Sequence, residues 1–81
     1  MLPRVTLYTR TGCHLCDTAK EQLRRARHGA QFELEEVDID SDPELRALYN
    51  EEVPVISING RKAFKFFVNE QEFLKRLKDR A

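Results

Sequence analysis

Two cysteines, Cys13 and Cys16, stand in the run Thr11-Gly12-Cys13-His14-Leu15-Cys16-Asp17, and they are the only thiols of the 81-residue chain. A bridge across two intervening residues removes little chain entropy, and the structural disulfides of small secreted domains usually come in several pairs. The C-x-x-C spacing near a βαβ pattern points instead to a redox dithiol. Cys13 directly follows a strand-like run and opens a helix, so its sulfur is expected beside unpaired backbone N–H groups and the positive end of the helix dipole. Both favour thiolate over thiol and lower the pKa from its ordinary value of about 8.5. Thiolate is the attacking species in disulfide exchange. Arg10, three residues earlier, could add positive charge nearby. Cys16 lies one helical turn on, within the inward stripe of the same helix. The expected roles follow: Cys13 attacks a disulfide, and Cys16 resolves the mixed intermediate.

Other chemistries meet obstacles. Cys16 alone could be a small core residue, since free cysteine buries readily, but Cys13 at a strand end is expected to be exposed. Structural zinc wants four ligands, and the chain offers Cys13, Cys16, His14 and His28. A helix start would point His14 away from both sulfurs, and His28 lies beyond the far end of that helix. No metal is therefore expected in a monomer, and only a dimer could build a metal or cluster site. A redox-inert interaction module is the third possibility.

The elements that position the dithiol are legible as periodicities. Arg4 to Thr9 alternates and is rich in β-branched and aromatic residues, which predicts a strand. From Cys13 to Arg27, Cys16, Ala19, Leu23 and Ala26 recur at helical steps and predict one buried face, with Gly29 as a stop. Phe32 to Ile39 reads as a second strand. Its alternation slips, because Phe32 and Leu34 are out of phase with Val37 and Ile39, and a bulge or a loosely paired edge strand would explain that. Asp42-Pro43 opens a short helix with Leu45, Leu48 and Tyr49 inward, ending near Asn50. Val55 to Ile58, Asn59-Gly60 and Arg61 to Phe67 form a hairpin around a type I′ turn. Asn69 caps a last helix, Glu72 completes a capping-box pattern, and Val68 with Phe73 matches a hydrophobic staple. The order β-α-β-α-β-β-α, with a right-handed β-α-β crossover, predicts an α/β fold. Its four-stranded mixed sheet should carry helices on both faces. Pro54 directly precedes the third strand, a place where proline is tolerated, and the local sequence alone favours a simple strand start with the ordinary trans bond of most X-Pro pairs.

Composition bounds the rest. A chain this short buries only about 60–65% of its unfolded surface, so residues 1–81 are expected to form a single domain. Fourteen basic residues balance fourteen acidic ones, so no global field should recruit nucleic acid or anionic membranes. The longest unbroken apolar run is three residues, far short of the ~20 that a spanning helix needs. The N-terminal residues lack the pattern of a secretory signal, and a cytoplasmic protein is the expectation.

With Tyr8 to Cys16 and Val53-Pro54-Val55 both in view, the chain resembles glutaredoxin-like members of the thioredoxin superfamily along essentially its whole length. It is most similar to a group of small, mostly bacterial proteins with Gly-Cys-His-Leu-Cys-Asp near the start. That group also has a Val-Asp-Ile-Asp…Asp-Pro stretch, here Val37 to Pro43. The resemblance implies a thioredoxin-like fold and a redox disulfide between Cys13 and Cys16. It further implies a cis Val53-Pro54 bond beside the dithiol, and a Val53 backbone that pairs with a bound extended segment. Arg10 falls where glutaredoxins commonly carry Lys, near the thiolate and the glycine carboxylate of glutathione. Arg10, Thr11, Gly12, His14, Leu15, Val53 and Pro54 make up the implied substrate surface. The implied activity is disulfide reduction by a monomer without metal or organic cofactor. Its partners would be protein disulfides, glutathione and a reductase as electron donor.

The chain departs from the glutaredoxin pattern in three places. His14 and Leu15 replace the usual Pro and Tyr; the imidazole could tune the nucleophile or simply be exposed. The Gly-Gly-Asp that opens the last helix of glutaredoxins has no counterpart in Lys65-Phe66-Phe67-Val68-Asn69-Glu70, where bulky side chains would keep a small peptide's backbone away. The Trp motif of the redoxins that serve ribonucleotide reductase is missing too. A protein disulfide therefore stands beside glutathione as the expected substrate.

Overall fold

Val5 and Leu7 are fully buried while Thr6 and Tyr8 between and beyond them are only half-buried, so strand β1 (Arg4–Thr9) presents one face to the core and the other to a thinner layer. The computed structural model describes residues 2–50 and 52–80. β1 is followed by α1 (His14–Ala26), β2 (Glu33–Asp38), a 3₁₀ turn (Ile39–Ser41), α2 (Pro43–Tyr49), β3 (Val55–Ile58), β4 (Arg61–Lys65) and α3 (Glu70–Arg80). The four strands form one sheet in the order β2-β1-β3-β4. β1 runs parallel to β2 and antiparallel to β3, and β4 returns antiparallel to β3. This is the mixed α/β architecture expected.

The core lies between the Val5/Leu7 face and the helices α1 and α3. Cys16, Ala19, Leu23 and Ala26 form the buried stripe of α1, and Phe73 and Leu77 that of α3. Phe73 packs edge-to-face on Phe32, with ring centroids 5.3 Å apart. Asn69 Oδ1 accepts the Glu72 N–H at 3.0 Å, and Val68 and Phe73 are both buried, as a cap and staple require. α2 covers the opposite face, where Tyr49 sits 4.8 Å from the Tyr8 ring. The Asp42 carboxylate caps it through the Glu44 N–H at 2.9 Å.

One open pair of alternatives is decided and three local expectations change. The slip in β2 is no bulge, because the pairing with β1 runs unbroken from Arg4↔Glu33 to Thr9↔Asp38. β2 is an edge strand whose apolar residues serve two layers: Leu34 packs on the core, whereas Val37 lines the far side with Thr6, Tyr8 and Leu45. Leu48 is 62% exposed, since a helix of seven residues that lays Leu45 and Tyr49 on the sheet leaves no room for a wider stripe. Gly29 does not take the left-handed conformation of a helix stop; a Cβ there would instead meet Leu74 Cδ1 at 3.4 Å. β4 ends at Lys65 rather than Phe67, because Phe66 adopts a φ of +71° and leads the chain off the strand.

Candidate dithiol site

β3 runs antiparallel to β1 and so starts where β1 ends, with Val55 paired to Tyr8; the Asn59-Gly60 hairpin, with φ of 51° and 85°, then turns the chain into β4. Two segments therefore converge at one end of the sheet, the turn after β1 and the Val53-Pro54 dipeptide before β3. That peptide bond is cis, as the resemblance implied and against the trans form that the local sequence favours; Pro54 is buried and Val53 half-buried.

After Thr9 the chain makes a tight turn in which the Cys13 N–H donates to the Arg10 carbonyl at 3.3 Å. Gly12, at the third position, has φ +80°, the value that a type II turn demands there. Nothing lies within 4 Å of a Cβ built on Gly12, so glycine is required for its backbone freedom rather than for space. The turn delivers Cys13 as the N-cap of α1, in extended conformation, and its Sγ accepts the Cys16 N–H at 3.1 Å. The sulfur thus occupies the place of a Ser or Thr oxygen at a helix start.

Cys16, one turn along, is 2% exposed, whereas Cys13 remains half-buried. Their Cα atoms are 5.2 Å apart, inside the window of roughly 4.4–6.8 Å that a disulfide spans, and the sulfurs lie close to bonding distance. The arrangement can carry two electrons as dithiol and disulfide, with Cys13 the less buried of the two residues. Thr11, Gly12, His14 and Leu15 surround it as exposed residues, Leu15 at 51%.

Arg10 belongs to the turn, yet its side chain is engaged elsewhere. Nε donates to Asp40 Oδ2 at 3.2 Å, and Nη1 donates to Asn50 Oδ1 at 2.6 Å and to the Asn50 carbonyl at 3.2 Å. Nothing in the sequence marks Asp40 and Asn50 as partners of Arg10, since no motif links position 10 with positions 40 and 50. Glu52, next to Val53, is likewise unmarked. It faces Lys62 at 2.8 Å and Lys65 at 3.5 Å, and the Lys62 hydrogen bond chiefly holds its carboxyl below the usual range. On β1, desolvation raises the Tyr8 phenol above its ordinary pKa, with Tyr49 and Glu35 adding to the shift.

His14 and His28 are both exposed, and no group of three or more His, Cys, Asp or Glu side chains gathers in metal-binding fashion among the described residues. No helix among them is long and apolar enough to cross a membrane. Past β4, the exposed Phe66 and Phe67 share the site's end of the sheet, because Lys65 pairs with Val55 and the Phe66 N–H donates to the Pro54 carbonyl at 2.8 Å.

Comparison with known proteins agrees with this geometry. Residues 4–78 match the family described as Glutaredoxin-like domain (DUF836). Uncharacterized protein Mb0520 of Mycobacterium bovis is 33% identical over 73 residues, covering 84% of this chain and 75% of that protein. The X-ray structure of protein XcR50 from X. campestris superposes with a TM-score of 0.75 at 37% identity, over 93% of this chain and 96% of that one. Thioredoxin-2 of the malaria parasite shares the fold, with a TM-score of 0.73 at 18% identity over 96% of this chain and 82% of its own.

Proposed function

Because the chain belongs to the glutaredoxin-like domain family of the thioredoxin superfamily, we propose that it is a thiol–disulfide oxidoreductase working through Cys13 and Cys16. One observation carries this reading. The accessible sulfur caps a helix N-terminus while its partner, near bonding distance, is buried. The positive end of α1 favours thiolate at Cys13.

The Cys13 thiolate attacks one sulfur of a target disulfide. A Cys13–substrate bond forms, the target bond breaks, and the other sulfur leaves as a thiolate that takes a proton from water. Cys16 then loses its proton and attacks Cys13 Sγ, forming the internal disulfide and releasing the second substrate thiol. The substrate gains two electrons and the protein loses them. A thiol donor, either glutathione or a reductase, restores the dithiol by the reverse exchange. Both electrons travel on sulfur, so the scheme calls for no metal or organic cofactor. Protein disulfides suit the site as substrates, because Phe66 and Phe67 crowd its end of the sheet and the family resemblance implies a Val53 backbone that pairs with an extended segment. The working form is a monomer in the reducing cytoplasm.

Insulin reduction with a thiol donor tests the scheme. Cys13→Ser should abolish turnover, whereas Cys16→Ser should keep the first attack and accumulate mixed disulfides detectable by mass. Wild-type turnover by Cys13→Ser would sink the mechanism.

A further inference from the structure

Arg10 brings a cation into the dithiol turn, and the fold clamps it. The turn hydrogen bond from the Cys13 N–H to the Arg10 carbonyl keeps the two Cα atoms within about 7 Å. An arginine side chain is long enough to cover that distance and meet the sulfur. It is held instead by Asp40 and Asn50. Asp40 is itself fixed: its N–H donates to Asp38 Oδ1 at 2.9 Å, and Arg46 approaches Oδ1 at 3.5 Å and the carbonyl at 3.4 Å. The other titratable or charged side chains at the starts of these helices are His14 and Asp17 on α1, and Asp42 and Glu44 on α2. Glu52, before Val53, is occupied by Lys62 and Lys65.

We propose that Asp40 is a positioning residue for the dithiol: its carboxylate restrains the Arg10 guanidinium and keeps that cation from closing on Cys13. This rests on the oxidoreductase reading and deepens it. A cation within about 4–6 Å of an acid lowers its pKa by roughly 1–3 units, and the exposure of this site favours the lower end of that range. A released Arg10 would therefore raise the thiolate fraction of Cys13 at a pH below its midpoint about tenfold. Stabilising the reduced form in this way makes a dithiol a stronger oxidant. By restraining Arg10, Asp40 keeps the pair reducing.

The pH dependence of iodoacetamide alkylation of reduced protein measures this directly, in wild type, Asp40→Ala, Arg10→Ala and the double variant. Asp40→Ala should move the Cys13 midpoint to lower pH, with about a tenfold gain in thiolate below it. The same change in the Arg10→Ala background should have little effect, and Asp40→Glu should restore the wild-type midpoint. An equal shift in both backgrounds would mean that Asp40 acts through its own charge, and either that result or no shift overturns the proposal. If circular dichroism shows Asp40→Ala unfolded, Asp40→Leu, which is similar in size but offers no acceptor, takes its place in the same cycle. Alkylation needs no turnover, so the clamp and the oxidoreductase reading can fail separately: the first on these midpoints, the second on insulin reduction by Cys13→Ser.

Discussion

Cys13 and Cys16 are the same residue type in two environments, and one helical turn separates them. The N-cap position leaves Cys13 reachable, while the i+3 position carries Cys16 into the stripe that faces Val5 and Leu7. In the exchange we propose, this difference in burial would give attack to the first and resolution to the second without any further group. Tyr8 shows the same control of chemistry by environment. Its phenol is raised above the ordinary value of about 10, first by desolvation and then by Tyr49 and Glu35. The folded protein therefore holds this proton more tightly than the unfolded chain. The resulting stability is fully present below the ordinary tyrosine pKa and is lost as pH rises through the higher folded value. Wild type should lose more stability than Tyr8→Phe on passing from neutral to strongly alkaline pH, as read from urea midpoints across that range. Parallel loss in the two proteins would count against a tightly held Tyr8 proton.

At the scale of elements, each helix start is secured by a side chain that sequence already marks: Cys13, Asp42 and Asn69. Asn69→Ala removes the acceptor of the Glu72 N–H and should cost about 1 kcal/mol, seen as a lowered urea midpoint with an unchanged slope. A midpoint equal to wild type would show that the cap contributes nothing. These starts were legible because a cap is a local device, and so was the hairpin, whose Asn59 and Gly60 announce positive φ. The cysteine pair was legible for the same reason, since a spacing of three closes within one turn. The features that were not legible depend on what lies across a layer. The slip in β2 could not be assigned until Val37 was seen on the α2 side, and Gly29 looked like a helix stop because Leu74 is far away in sequence. The Arg10–Asp40–Asn50 cluster joins positions 30 and 40 residues apart, and no periodicity encodes such a meeting.

The whole molecule divides its labour between the two sides and one end of a single sheet. The core under α1 and α3 holds the sheet rigid, and the dithiol stands at the end where β1 stops and β3 begins. Phe73 is the residue on which that core converges. It is fully buried, meets Phe32 at the entry to β2 with centroids 5.3 Å apart, and meets Phe64 of β4 at 6.3 Å. Truncating a buried phenylalanine to alanine costs about 3–5 kcal/mol, against a total stability of roughly 5–10 kcal/mol for a domain of this size. Phe73→Ala should therefore lose from about a third to nearly all of its stability. Because α3, β2 and β4 all lean on this ring, circular dichroism and cysteine accessibility should shift together to lower urea. The Cys13 alkylation midpoint of the folded variant should stay at its wild-type pH, since Phe73 belongs to the core and the dithiol to the sheet's end. If the site loosens first while the helical signal holds, the core and the dithiol are not one cooperative unit, and the positions of Cys13, Arg10 and Pro54 are fixed locally rather than by the sheet.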